Sequence, residues 1–220
     1  MSTDPLDYSF WLASRSAGVV AYVLLSASVL LGLAMSTRLA PAGTRGEVRV
    51  FHERLGLLAL GAVAAHGLLL LGDGWLDASL SQLLIPFTLD YRPLWTGLGI
   101  LAAYGAAGLA LTYYARRRLG AKRWRNAHRF IPIFWALAAI HVIGAGTDTV
   151  SWWLRIILAA TIAAGTVLIV QRGLAGLTQP AGREPARTGG GSAGTEPAPM
   201  EPAPDRQTAP RPGAELGLFR

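Results

Sequence analysis

The chain reads as an all-α membrane protein, a bundle of about five transmembrane helices with the N-terminus outside and the C-terminus in the cytoplasm. Three observations predict this. Of 220 residues 52% are hydrophobic and only 15% are charged, with a mean hydropathy of +0.37, more apolar than a soluble domain of that length. The apolar residues gather in blocks of roughly twenty, as a bilayer core of about 30 Å requires at 1.5 Å per residue. The cations collect in alternate connections.

The blocks follow one another as residues 10–35, 55–71 (entered from Phe51), 94–114, 130–146 and 152–170. Each should be helical, because lipid offers no water to unpaired backbone groups. Pro86 and Pro93 fall between the second and third blocks, and Pro132 lies in the first turn of the fourth, where a missing N–H is tolerated. An amphipathic piece over residues 76–87 is expected along the membrane interface. The connection after the first block carries Arg38, Arg45 and Arg49. The one after the third carries Arg116, Arg117, Arg118, Lys122, Arg123 and Arg125 without an acid. The other connections hold Asp73, Asp77, Asp90 and Asp148. The positive-inside rule therefore sets the orientation given above and makes the cell membrane the expected location of a multi-pass chain. Trp11, Trp75, Trp95, Trp152 and Trp153 fit an outer interfacial belt, which Trp124 and Trp135 do not.

Two domains are expected. Residues 1–172 form the transmembrane part, and residues 173–220, rich in Gly, Pro and Ala, form a disordered cytoplasmic tail. No Gly-rich phosphate loop follows a strand, so neither flavin nor NAD(P) is expected on this chain. There is no cysteine, which excludes disulfides, iron–sulfur clusters and thiolate-ligated haem. The formal net charge of +7 lies beside the spans and argues for the lipid bilayer, not nucleic acid, as the partner.

The chemistry rests on four histidines, His52 and His66 in the second block and His128 and His141 in the fourth. The blocks run in the same direction, and the spacings of fourteen and thirteen residues each cover roughly 20 Å. His52 therefore matches His128 near the cytoplasmic face, and His66 matches His141 toward the outer face. Two imidazoles facing each other across a bundle make a bis-axial haem site, and two such sites make an electron path. Taken singly, each histidine is equally well read as a hydrogen-bonded packing residue. Fourteen residues keep His52 and His66 on nearly one face. Thirteen turn His141 well away from His128, so a tilt or a local irregularity near Pro132 is needed to bring them back into phase.

Residues 119–131, LGAKRWRNAHRFI, and Ile140-His141 resemble the ferric reductase-like transmembrane domain superfamily. That superfamily includes NADPH oxidases, ferric reductases and the haem-bearing membrane subunit of the bacterial methionine sulfoxide reductase system. FHERLG at 51–56 and AAH at 64–66 are similar to the other half of its ligand set. The resemblance covers about residues 11–148 and implies two haems b, with His52/His128 as inner and His66/His141 as outer iron ligands. The superfamily's flavin and nicotinamide domain is missing, and five of its six helices are present.

Arg15, inside the outer end of the first block, is a candidate for a propionate of the outer haem or for snorkelling to headgroups. Arg54, Arg125 and Arg129 are candidates for the inner propionates or for headgroups. Phe134 and Trp135, halfway between His128 and His141, are candidates for an aromatic between the haems or for core packing. The expected activity is that of an oxidoreductase component. It takes electrons from a separate flavoprotein reductase or a quinol and delivers them to an outer acceptor. The alternatives are a membrane subunit that serves a partner enzyme without turnover of its own, and a haem-free scaffold or transporter.

Overall fold

Backbone hydrogen bonds that lipid cannot satisfy are closed within helices throughout the computed structural model, which describes residues 5–37 and 42–177. No strand occurs among the described residues. Five helices are long and apolar enough to cross a membrane, and the chain is a multi-pass all-α membrane protein.

Helix α1 (Pro5–Ser36) is unbroken past Arg15. Helix α2 (Arg45–Leu69) begins well before the second apolar block, so His52 sits inside a formed helix, and its last turn tightens to a 3-10 turn at Leu70–Gly72. In the following connection only the five-residue α3 (Leu80–Leu84) is helical. That is shorter than the amphipathic piece expected over residues 76–87. Asp77 and Phe87 adopt left-handed conformations, φ 44° and 69°, and stop the helix on either side. A capping box between Ser79 and Gln82 starts α3. Tyr104 Oη donates to the Leu84 carbonyl at 2.6 Å and ties the connection to the third span.

That span, α4 (Pro93–Leu111), opens with proline in its first turn. The basic stretch folds into α5 (Arg116–Leu119) and α6 (Ala121–His128), separated at Gly120 by φ +83°, a value that suits glycine. Helix α7 (Ile131–Ala145) continues α6 into a single span, residues 121–145, and α8 (Trp152–Leu177) is the last. α8 runs past residue 173, where the tail was expected to start. The rest of that expected tail lies outside the described residues.

Helix α1 packs along α2, α4 along α7, and α8 against α1. Two apolar clusters hold the helices together. Tyr22 of α1 meets Ala139 of α7 and Leu154 and Leu158 of α8, and Val29 and Leu33 of α1 meet Trp135. Each has a polar lock. Tyr22 Oη bonds Thr161 Oγ1 at 2.8 Å, and Trp135 Nε1 donates to Ser26 Oγ at 2.9 Å. Such interhelical bonds contribute about 0.6 kcal/mol each in a bilayer. Trp135 is thus a core residue. The outward faces, Leu57, Leu58, Ile133 and Ile143 among them, are exposed and apolar, as lipid contact requires.

Candidate functional site: two facing histidine pairs

The fourth span is broken between its two histidines. Helix α6 ends at His128 and α7 begins at Ile131. Across the junction Phe130 N bonds Ala127 O at 3.0 Å and Ile133 N bonds Phe130 O at 2.9 Å, both three residues back. A step of this kind turns the chain by more than an α-helical residue does. Pro132, with no N–H to contribute, is accommodated beside it. With the helices packed, His128 and His141 both meet a histidine of α2. The His52 and His128 rings lie 6.2 Å apart between centroids, and the His66 and His141 rings 6.4 Å apart.

Three of the four rings are anchored in the same way. His66 Nδ1 donates to the Ser14 main-chain carbonyl, His52 Nδ1 to that of Ser28, and His141 Nδ1 to that of Trp95, each at 2.8 Å. A carbonyl only accepts, so the proton is on Nδ1 and Nε2 is left with a free lone pair. Such close approach needs a glycine one turn further along the neighbouring helix. A Cβ at Gly99 would fall 2.5 Å from His141 Nδ1, one at Gly18 3.0 Å from His66 Nδ1, and one at Gly32 3.1 Å from His52 Cε1.

His128 differs. The Leu109 carbonyl lies toward its ring but closes no hydrogen bond, and Leu109 already accepts from Thr112 Oγ1 at 2.6 Å. Trp124 instead stacks on His128, with centroids 5.1 Å apart, and Tyr113 packs on Trp124 at 5.5 Å.

A cavity of about 1300 Å³ opens around His66 and His141. Its walls are largely alanine, glycine and leucine, including Gly18, Ala64, Gly99 and Ala138. Arg15 and Asp148 also line it, and they form a bidentate ion pair that joins α1 to the turn before α8. Arg15 additionally lies over the Trp11 ring at 4.8 Å. The guanidinium thus has a carboxylate of the chain's own. Asp148, assigned only to a loop in the sequence, is the partner that reading missed.

The other candidates fall further out. Arg54 and Arg129 are exposed, and Arg129 lies over the Phe130 ring at 5.4 Å. Phe134 packs on α4, where a Cβ at Gly105 would fall 2.0 Å from its ring. Beside the His52/His128 pair, Tyr114 Oη donates to Glu53 Oε1 at 2.9 Å, and that bond holds the phenol above its usual pKa. The exposed cations Arg117, Arg118, Lys122, Arg123, Arg125 and Arg129 have no acid among them in the sequence. Ser14, Ser28 and Trp124 escaped the sequence reading. The carbonyls of the first two are main-chain atoms, which carry no residue signature. The spacing of fourteen between them, equal to that between His52 and His66, was the available signal.

Among known proteins, no curated protein and no solved structure matches the chain. A family described as ferric reductase like transmembrane component matches residues 17–145, which run from within α1 to the end of α7 and include all four histidines. The chain belongs to that family of ferric reductase-like transmembrane components, and its membrane bundle is that of an electron-transfer component.

Proposed function

We propose that the chain carries two bis-histidine b-type haems, one between His52 and His128 and one between His66 and His141. The observation that supports this most directly is the spacing of the rings. Two imidazoles that share a metal ion along one line have centroids about 6 Å apart, from a bond of about 2 Å and a ring radius of about 1.1 Å on each side. The observed 6.2 and 6.4 Å fit. Two nitrogens are too few for a zinc site, and no cluster of three His, Cys, Asp or Glu occurs among the described residues. A porphyrin brings four equatorial nitrogens of its own and asks the protein for two. This favours haem over a metal-binding scaffold.

When bound, such haems supply a one-electron relay across the bilayer. The residues of the chain hold, orient and insulate. The Nδ1 bonds keep Nε2 of His52, His66 and His141 deprotonated for ligation. Around His66 and His141 the alanine and glycine walls leave room for a flat ring. Arg15, with its charge already met by Asp148, lines the slot of the His66/His141 site, and Arg54 and Arg129 remain candidates for the propionates of the other. By the positive-inside rule the His52/His128 site is on the cytoplasmic side of the cell membrane. The cations of residues 116–129 beside it suit an acidic donor flavoprotein, a quinol being the other candidate donor. The acceptor lies on the outer face.

Counting haem against protein by the pyridine haemochrome method tests the proposal. Two per chain are expected, with one remaining in His66→Ala and in His52→Ala. A wild-type ratio near one or zero rejects the two-site reading.

A further inference from the structure

The two histidines of α2 are held by a repeated device on α1. Ser14 and Gly18 serve His66, and Ser28 and Gly32 serve His52, so a Ser-x-x-x-Gly unit recurs fourteen residues apart on α1. His52 and His66 are also fourteen apart on α2. Fourteen residues are two heptads, the period at which packed helices present the same face to each other. The antiparallel pair therefore meets twice in equivalent register.

Each meeting is a reciprocal clamp. Nδ1 of the histidine donates to the serine carbonyl, while the serine hydroxyl donates back to the histidine carbonyl, at 2.9 Å for Ser14 and 3.2 Å for Ser28. Each Oγ also lies 3.1 Å from the corresponding Nδ1. Ser14 and Ser28 are among the most buried polar residues of the described chain, 1% and 5% exposed. The hydroxyl thus holds the ligand residue at both its main chain and its ring. On α4 the carbonyls of Trp95 and Leu109 are likewise fourteen apart, but no hydroxyl answers there.

We infer that Ser14 and Ser28 are positioning residues, the hydroxyl of each reinforcing the hold of its own carbonyl on the direction of one α2 ligand and so setting the affinity and potential of one haem independently of the other. The inference rests on the di-haem reading. A hydroxyl beside Nδ1 adds electron density to the ring through its N–H. Its loss makes the imidazole a poorer donor, favours the reduced iron, and loosens the ligand.

The test compares Ser14→Ala, Ser28→Ala and His66→Ala with the wild type in the full chain, by haem content, redox titration, low-spin ferric electron paramagnetic resonance, and haem transfer to apomyoglobin. In Ser14→Ala the haem of the His66/His141 site should be lost about tenfold faster or more, with a raised midpoint and a changed ferric signal, while the other haem is unmoved. Ser28→Ala should do the reverse. If only one variant folds, that variant decides. Loss of both haems in either variant that folds, or failure of both to fold, overturns the inference in favour of helix packing. Two unmoved haems in both variants also overturn it, while leaving the di-haem reading in place. A wild type without haem, or His66→Ala with unchanged haem, rejects that reading itself.

Discussion

Trp124 lies nearly parallel on His128, ring centroids 5.1 Å apart, and these two rings hold the only buried side-chain nitrogens without a hydrogen-bond partner among the described residues. The fourth histidine is therefore held by a stacked face instead of by a carbonyl. Ring stacking contributes about 0.5–1.5 kcal/mol beyond burial, less specific in direction than a bond to Nδ1.

The His52/His128 site should accordingly lose its haem first. In detergent, transfer to apomyoglobin is expected to be biphasic, with the faster phase abolished in His52→Ala. Trp124→Ala should quicken that phase by up to about tenfold, as about 1.4 kcal/mol implies, and Trp124→Phe should change it little. A faster phase that belonged instead to His66/His141 would contradict the role given to the missing bond.

Glycine-to-alanine substitutions should be graded by the space available. At Gly99 the new Cβ falls 2.5 Å from His141 Nδ1, whereas at Gly18 it falls 3.0 Å from His66 Nδ1. Overpacking of this kind costs about 1–3 kcal/mol. Gly99→Ala should lower the thermal midpoint and the haem content more than Gly18→Ala, with Gly61→Ala, whose Cβ meets nothing within 4 Å, as the neutral control.

The Arg15–Asp148 pair should stabilise the bundle by linking α1 to the turn before α8. Its side chains are 34% and 10% exposed, so solvent screens part of the attraction and a coupling of about 1 kcal/mol is expected. A double-mutant cycle with Arg15→Gln and Asp148→Asn, read by thermal unfolding, measures it. Additive losses would show that the pair is not coupled.

Charge reversal at Arg117, Lys122 and Arg123 together should slow reduction of the haems by an acidic donor flavoprotein, and added salt should slow the wild type similarly. Dithionite should reduce both proteins equally. Flavoprotein reduction indifferent to salt and to charge would remove electrostatic docking from this face. Reduction by a quinol analogue under those conditions would place the donor in the membrane.

Much of this was legible in the sequence because it depends on composition and period. Five spans, the positive connections and the two matched histidine depths follow from apolar length and spacing alone, since a bilayer forces helix and helix forces rise. What spacing could not supply was rotation. Thirteen residues put His141 out of phase with His128, yet in the packed bundle, with the span broken at Arg129 and Phe130, both meet a histidine of α2. Nor could it supply partners. Arg15 and Asp148 are separated by 133 residues, and Ser14 reaches His66 across 52. Trp135, halfway between two histidines in the sequence, faces α1 and the core. Periodicity along one helix determines which residues share a face. Which helix that face meets, and which main-chain carbonyl waits there for a ring nitrogen, is decided only when the helices pack.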